Sequence, residues 1–476
     1  MREGLWAPRN RALTTGLVLA ITFVAAEALA VITVMPLVAR SLGGLRLYGW
    51  VFSAFMLGSI VGIVAAGREA DRRGPAAPFL AGLLLFGAGL AVAGLAPSMD
   101  VLVAGRALQG IGAGAVPAVA YAAIGRSLPG RLRARMMALL STAWVVPGLV
   151  GPALSAEVAR VFGWRWVFLG LLPVVAVAGS IAVPALIRLG PPARRRAAEH
   201  RLTDGLRVAA GTALILAGLT VAVSSAALPG AGLILAGGVT AVPAVRRLVP
   251  PGTLAARPGL PATVLSRGLL TFAFFGADAY VTLSITVLRH HSPVLASVAV
   301  TGATLAWTAG AWAQAQLSAV WPGRRLVRTG LVIILAGIGG MMTALQPAVP
   351  VGVALAAWTV AGLGMGVGYA PTTLMTLREA PPGREGWASA SLNLADVLGT
   401  ATGIGVGGAA VAATTGLGPD LRCGVATAFV ISALAAFAAL ALTRRLPAGL
   451  IGPGPPEGDA AAAMADDAGL AGDVAG

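Results

Sequence analysis

Four carboxylic acids lie inside stretches of the chain that otherwise hold almost no charge: Glu27, Glu157, Asp278 and Asp396. A carboxyl group in apolar surroundings favours its protonated form, so it can exchange a proton near neutral pH. Such a group holds either a proton or a cationic compound, but not comfortably both. Glu157 lies near the end of its stretch and is expected at an interface. Asp396 shares a helical face with Asn393 and is either structural or a second proton site. Glu27 is the leading candidate for proton exchange and Asp278 is the second.

One arginine, Arg106, also lies inside an apolar stretch. A guanidinium in hydrocarbon costs at least about 2.5–3.5 kcal/mol, so it needs an acidic or carbonyl partner. At about 1.5 Å per residue, Glu27 lies about 21 Å from the start of its stretch and Arg106 about 8 Å from the start of its own. In neighbouring helices of opposite direction those depths agree across a layer about 30 Å thick. We therefore expect a Glu27–Arg106 pair. The alternative is that Arg106 extends to the outer interface.

The composition requires that membrane-spanning helices position these residues. Hydrophobic residues make up 57% of the 476 positions, charged residues 11%, and the mean hydropathy is +0.86. A soluble chain averages about 25% charged residues, and here the apolar residues form runs of about 20, long enough to span a bilayer. All the basic residues are arginines in short clusters between these runs, which argues against nucleic-acid binding. With one cysteine, Cys423, and three histidines in predicted loops, we expect no metal site, no cofactor and no internal disulfide.

Fourteen apolar spans predict an all-α integral membrane protein with two six-helix bundles and an inserted hairpin. The predicted spans are residues 12–37, 50–67, 76–99, 101–125, 136–159, 166–187, two within 208–245, 264–288, 292–320, 329–345, 350–377, 386–412 and 423–443. The predicted domains are a bundle at 1–190, linkers and hairpin at 191–263, a bundle at 264–445 and a disordered acidic tail at 446–476. Most of the 34 arginines then fall on one side, which by the positive-inside rule puts both termini in the cytoplasm.

The two predicted bundles contain an internal repeat. Residues 23–33 align without gaps with residues 274–284, which sets Glu27 against Asp278. A second alignment sets the glycine pattern of residues 110–114 against that of residues 362–366, in the fourth span of each bundle. Membrane transporters are often built from such repeats. The rival interpretation is chance matching between helices rich in glycine and alanine.

Residues 67–74 carry a recognisable motif after the second span, with Gly67 and Gly74 at its ends and Asp71 and Arg72 inside. It resembles the loop signature of the major facilitator superfamily. The resemblance implies a cytoplasmic clasp between the two bundles that helps to set the outward-facing state. This sequence departs from the family pattern at residues 75–76, where Pro and Ala replace the usual basic pair.

Two further segments extend the resemblance. Arg106 and the glycines that follow it resemble the buried-arginine motif of the superfamily. In the fifth span, residues 147–156 with Gly151 and Pro152 resemble the motif associated with antiporters, although Ser155 and Ala156 stand where a glycine pair is frequent. A merely structural kink is the alternative. Together these segments resemble the fourteen-helix drug:proton antiporters.

This resemblance implies a proton-coupled secondary transporter of the plasma membrane that exports hydrophobic, cationic compounds by alternating access. Proton coupling would involve Glu27, Arg106, Asp278 and Asp396. The candidate substrate-cavity residues are the aromatic side chains Tyr280, Trp307, Trp312 and Tyr369. The expected partners are the substrate, protons and membrane lipids, with no nucleic acid, and a monomer is expected.

Three alternatives remain at this point. One is an exporter of lipid-like or endogenous metabolites, since the extra hairpin could contact bilayer substrates. Another is a nutrient symporter, which the fifth-span motif disfavours. An enzyme or receptor is the alternative from another class. An enzyme would need a cluster of nucleophile, base or metal ligands, and a receptor would need binding domains larger than these loops.

Overall fold

The computed structural model describes residues 4–8, 10–128, 145–190, 199–224, 227–318, 320–381, 385–417 and 421–450, with a few single residues between 128 and 145. These residues are almost entirely helical because long uncharged runs satisfy every backbone hydrogen bond within a helix. The α-helices are α1 Arg11–Leu42, α2 Tyr48–Arg73, α3 Ala76–Gly94, α4 Met99–Ser127, α5 Val145–Val161, α6 Arg165–Leu169, α7 Leu172–Ile187, α8 Glu199–Ser224, α9 Ala227–Leu248, α10 Leu260–Leu283, α11 Pro293–Leu317, α12 Gly323–Ala344, α13 Val351–Glu379, α14 Glu385–Leu417 and α15 Leu421–Leu442.

In this described part of the chain, thirteen segments are long and apolar enough to cross a membrane. The short α6 and α7 together form one of them, Arg165–Ile187. The remaining predicted span corresponds to α5, whose 17 described residues cover only its second part. Most of residues 136–144, where that span was predicted to begin, lie outside the described residues, as does the predicted tail beyond Leu450. The prediction of an all-α, multi-pass protein is confirmed.

The fourth helix of each bundle packs at the same place on the second helix of its own bundle. A Cβ atom added to Gly110 of α4 would lie 2.0 Å from the carbonyl oxygen of Phe55 in α2. A Cβ atom added to Gly362 of α13 would lie 2.2 Å from the carbonyl oxygen of Ala303 in α11. Only glycine allows backbones to approach so closely. The two glycine patterns of the repeat therefore do the same packing in both bundles.

The inserted hairpin, α8 and α9, packs between the bundles. α8 contacts α2 of the first bundle and α14 of the second, while α9 lies against α8. A separate apolar cluster holds these helices together, formed by the buried side chains Leu57, Ile60, Val208, Leu216, Ala244 and Ala401. The hairpin is thus in contact with both six-helix bundles.

The segment predicted as a loop after the second span is helical. α2 continues to Arg73 and ends at Gly74, whose φ of 91° suits glycine. Glu69 pairs with Arg72 and Arg73 at 3.3 Å each, and these i,i+3 and i,i+4 pairs support the last turns of α2. The sequence prediction ended the helix too early because charged residues were taken as the end of the span, although no helix-breaking residue precedes Gly74.

Candidate functional site

A cavity of about 1080 Å³ lies between the two bundles and the hairpin. Val24 of α1 and Phe55 of α2 close it near the middle of the helices, while Arg68, Arg247 and Trp387 lie at its other end. From Phe55 to Arg68 it extends about 20 Å along α2, at about 1.5 Å per residue. Most of its lining is apolar. Its wide end is the end at which α2 and α9 finish and at which α8 and α14 begin.

At the opposite end of the molecule the two bundles are hydrogen-bonded to each other. Thr282 Oγ1 of α10 donates to the carbonyl oxygen of Ile32 in α1 at 2.9 Å. Arg40 Nη2, near the end of α1, donates to the carbonyl oxygen of Thr286 at 2.6 Å. Both carbonyls lie in long, buried stretches of helix. These contacts close the molecule at the end away from the cavity.

Two glycines allow the closed end to pack tightly. A Cβ atom on Gly49 of α2 would lie 2.7 Å from the Cα atom of Gly408 in α14 and 2.8 Å from Tyr280 Oη. Tyr280 is fully buried, and its hydroxyl donates to the carbonyl oxygen of Ile404 at 2.6 Å. The sequence analysis predicted that Tyr280 would line the substrate cavity. The structure places it in the closed end instead, because its hydroxyl finds a backbone partner there.

Arg106 and Glu27 form a buried ion pair. Arg106 is 2% exposed and Glu27 is 0% exposed, so the alternative that this arginine extends to the interface is wrong. Its Nη1 atom also donates to Gln109 Oε1 at 2.7 Å, and its Nε atom donates to the carbonyl oxygen of Val51 at 3.2 Å. The guanidinium carbon lies 4.2 Å from the centre of the Phe55 ring, which provides a cation–π contact.

The ion pair lies behind the deep end of the cavity. Phe55 and Val24 face the cavity, and both belong to the helices that carry the pair or pack against it. Glu27 Oε1 accepts from Arg106, while no described residue donates to its second oxygen, Oε2. A proton could therefore bind at Oε2 without first displacing another donor.

Asp278 of α10 is buried and is held by a neutral donor. Trp358 Nε1, on α13, donates to Asp278 Oδ1 at 2.7 Å. Asp278 is 6% exposed and Trp358 is 0% exposed. Among the described side chains, no arginine or histidine forms an ion pair with Asp278, in contrast with Glu27.

Asp396 of α14 lies in the cavity wall and belongs to a second charge cluster. Arg267 Nε of α10 pairs with Asp396 Oδ1 at 3.0 Å, and Arg267 is 3% exposed. Arg267 Nη1 also donates to the carbonyl oxygen of Tyr369 and to Thr372 Oγ1 on α13, at 2.6 and 2.7 Å. Tyr369 Oη donates to Asp396 Oδ2 at 3.0 Å. Of the predicted coupling acids, Asp396 is the one that the cavity reaches.

The other three predicted aromatic residues are not part of the cavity lining among the described residues. Trp307 and Tyr369 pack against each other, with ring centres 5.4 Å apart. Trp312 is 72% exposed and continues the outward-facing stripe of Val298 and Leu305 on α11. Its place on an apolar outer stripe suits contact with lipid, whereas the sequence analysis predicted a cavity position.

Of the predicted conformational residues of the first motif that the structure describes, Gly67 is the one that lies at the cavity. Gly67 is part of the lining, and Arg72 pairs with Glu69. Gly74 ends α2. The backbone of Asp71 is helical, but its side chain lies outside the described part of the structure.

In the fifth-span motif, a close helix contact is made at Gly148. A Cβ atom on Gly148 would lie 2.3 Å from the side chain of Thr304 in α11. A Cβ atom on Gly151 would meet nothing within 4 Å, and Pro152 lies inside α5. The contact between α5 and α11 joins the two bundles.

Sequence reasoning missed several charged residues of this region. The sequence analysis did not single out Arg267, although Asp396 offered an acidic partner. On the hairpin, Asp204 is 6% exposed, lies in the cavity wall and pairs with Arg247 at 3.3 Å and with Arg207 at 3.8 Å. The i,i+3 spacing of Asp204 and Arg207 was the available signal.

No cluster of three or more His, Cys, Asp or Glu side chains suited to a metal ion occurs in the described ranges. The charged groups described at the site are arginines and carboxylates; the carboxylates can exchange protons, and both kinds of group can attract or repel charged compounds.

Comparison with known proteins identifies related sequences along most of the chain. The family model described as Major Facilitator Superfamily matches residues 15–404. A probable multidrug-efflux transporter of Mycobacterium tuberculosis is 29% identical over 461 residues, which cover 92% of this chain and 97% of that protein. The multidrug transporter protein MdtP of Bacillus subtilis is 34% identical over 187 residues, which cover 39% of this chain and 34% of that protein.

Solved structures with low sequence identity share the fold. A bacterial homolog of the human lysosomal transporter Spinster, in an inward-facing and unoccupied conformation, has a TM-score of 0.63 at 15% identity, covering 92% of this chain and 98% of that chain. A D-xylose–proton symporter has a TM-score of 0.61 at 15% identity, covering 92% and 98%. These similarities extend across both bundles.

Proposed function

Since this chain belongs to the Major Facilitator Superfamily and is a multi-pass membrane transporter, we propose that it exports small hydrophobic cations in exchange for protons. The observation that carries the proposal is the cavity between the bundles, mostly apolar and with Asp396 in its wall. An apolar pocket with a few polar groups suits a hydrophobic compound. Asp396 pairs with Arg267 in this conformation, so a cationic compound would bind its carboxylate by replacing that arginine. The relatives named above are multidrug transporters, which agrees with such a substrate.

Alternating access would connect the cavity to each side of the membrane in turn. With both termini in the cytoplasm, as the arginine distribution predicts, the cavity faces the cytoplasm. The hydrogen bonds of Thr282 and Arg40 would then close the periplasmic or external side. In the other state these contacts would break and the bundles would approach each other at the wide end of the present cavity.

Proton coupling is proposed for the three buried or partly buried acids. A proton on Glu27 Oε2 would remove the negative charge opposite Arg106, and the weakened pair would favour a different arrangement of α1 and α4. A proton and a cationic substrate can compete for Asp396, because this residue lies in the cavity wall. Asp278 supplies a third buried carboxyl group.

The test is uptake of a fluorescent lipophilic cation by inside-out membrane vesicles under an imposed proton gradient with an acidic interior. We expect gradient-dependent uptake by the intact protein. In Glu27→Gln we expect at least about a tenfold loss of uptake, because glutamine cannot bind and release a proton in this pH range. Asp278→Asn should also reduce uptake. The matched control is Glu157→Gln, since Glu157 is an exposed acid on α5 and should leave uptake near the level of the intact protein.

Normal uptake in Glu27→Gln would remove Glu27 from the coupling scheme and leave Asp278 and Asp396. If the intact protein took up the compound equally with and without the proton gradient, this result would contradict proton exchange. Absence of uptake at equal expression would contradict the lipophilic cation as substrate.

A second candidate function is export of a lipid-like compound. The observation that favours it is the hairpin, because α8 and α9 both carry cavity-lining residues and also face the membrane. Lipid-stimulated proton release by the purified protein, without any release by lipophilic cations, would favour this function over the first.

A further inference from the structure

The internal repeat places Trp358 in the position of Arg106. The glycine patterns that begin at Gly110 and Gly362 align, and each begins four residues after Arg106 and Trp358 respectively. The packing of Gly110 on α2 and of Gly362 on α11 shows that this register also holds in three dimensions. Arg106 and Trp358 are therefore equivalent residues of the two bundles.

Their acidic partners are equivalent as well. Arg106 contacts Glu27, and Trp358 contacts Asp278, which aligns with Glu27. One bundle thus joins its first and fourth helices by an ion pair, and the other by a hydrogen bond from a neutral indole N–H group. The difference matters because a buried carboxylate is stabilised far more by a buried cation than by a neutral donor.

Protonation therefore has different consequences at the two acids. A proton on Glu27 leaves the buried Arg106 guanidinium without its counter-ion. When Asp278 is protonated, its partner is still a neutral indole. The indole N–H group can then donate to the carbonyl oxygen of the carboxylic acid. Protonation of Asp278 therefore leaves no buried cation without a counter-ion.

A continuous series of aromatic rings leads from this site to the cavity wall. Trp358 stacks on Phe274 with ring centres 5.1 Å apart and an interplanar angle of 21°. Phe274 packs edge-on against Trp307 at 5.6 Å, and Trp307 packs against Tyr369 at 5.4 Å. Tyr369 then donates its hydroxyl hydrogen bond to Asp396 at 3.0 Å.

We propose that Trp358 positions Asp278 as the proton-exchanging acid of the second bundle, and that the series Trp358–Phe274–Trp307–Tyr369 couples this acid to Asp396. A change of hydrogen bonding at the indole displaces a ring that is stacked in a dense interior, where small shifts are transmitted between packed neighbours. Trp358 is a positioning residue: it acts through Asp278 and does not itself carry the proton. The proposal rests on proton-coupled transport as the function of the chain.

The first test is an infrared titration of the carboxyl band of the full-length protein in lipid nanodiscs, with Asp278→Asn to assign the Asp278 band. We expect this band to persist to a pH about one unit higher in Trp358→Phe than in the intact protein. The phenylalanine keeps the stacked ring but removes the N–H donor, and one hydrogen bond to a charged group is worth about this shift. Identical titrations of the two proteins would overturn the positioning role.

The second test measures coupling by the effect of Asp278→Asn on the Asp396 band, which Asp396→Asn assigns. We expect a shift of about 0.4–1.5 pH units. Trp307→Leu should abolish this shift, because it interrupts the series while leaving the Asp278–Trp358 hydrogen bond in place. Trp312→Leu is the matched control on the same helix, 72% exposed, and should preserve it.

A shift that survives Trp307→Leu at full size would overturn the proposed coupling. Both titrations are independent of transport. A failure of gradient-driven uptake in vesicles with both titrations as expected would therefore contradict the proposed function and not the positioning role of Trp358.

Discussion

Replacing Arg106 with leucine is expected to abolish transport and to destabilise the fold. Glu27 would lose its only charged partner among the described residues while remaining 0% exposed. Removing one member of a buried ion pair typically costs about 3–5 kcal/mol, because the other charge is left uncompensated. The measurement is the fraction of protein that stays monodisperse in size-exclusion chromatography after heating, together with gradient-driven uptake in vesicles.

Two variants separate the structural from the functional part of this effect. The double replacement Glu27→Leu with Arg106→Met removes both charges and should recover most of the thermal stability, since apolar side chains can replace a buried pair at little cost. It should still fail to transport. Arg160→Leu breaks the exposed Glu157–Arg160 pair and should leave the thermal stability close to that of the intact protein. Normal uptake by the double variant would show that the pair is structural only.

Replacing Gly49 with valine is expected to disfavour closure of the end opposite the cavity. Its Cβ atom would lie 2.7 Å from the Cα atom of Gly408, and neither backbone can move away without separating α2 from α14. Overpacking of this kind costs about 1–3 kcal/mol. If this cost applies only to the conformation in which this end is closed, the equilibrium between the two conformations shifts by about 5–150-fold. Transport should fall by a similar factor, because each cycle requires this end to close.

The measurement is the labelling rate of a cysteine at the closed end by a membrane-impermeant reagent. Thr282→Cys, placed in a Cys423→Ser background, reports on this end because Thr282 is 0% exposed in the structure. Since this substitution removes the hydrogen bond from Thr282 to Ile32, the labelling rate of this background with Gly49 intact is the baseline. We expect faster labelling with Gly49→Val. Gly352→Val is the matched control, since a Cβ atom at Gly352 would meet nothing within 4 Å. Equal labelling in both valine variants would contradict the proposed closure.

Most of the fold could be predicted from the sequence because spans in a membrane must be long, apolar and helical. The same constraint made the Glu27–Arg106 contact predictable: a buried arginine needs a partner, and depth along the helix limits the choice. The hairpin was also predictable, from an uncharged stretch too long for one span with Pro229 in its middle. The end of α2 was not predictable, since charged residues within a continuing helix have the same sequence pattern as charged residues that follow the end of a membrane span.

The sequence was less informative about which face of each helix a side chain occupies. Tyr280, Trp307 and Trp312 were predicted to line the cavity, yet they lie in the closed end, in an aromatic series and on an outer stripe. Nearly every position of these helices is apolar, so hydrophobic periodicity does not separate lipid-facing from interior faces. Trp358 was overlooked for a related reason: a buried tryptophan resembles packing until its N–H partner is known.

The position of α8 affects how fast the molecule could cycle. Because α8 touches α2 and α14 at once, any rotation of one bundle against the other must slide or break apolar contacts on at least one side of the hairpin. Such contacts resist movement through their packing and not through charge, so the resulting barrier should depend on temperature and membrane tension more than on salt. A chain of this fold with only the two bundles would lack this contribution to the barrier. The hairpin would thus slow turnover.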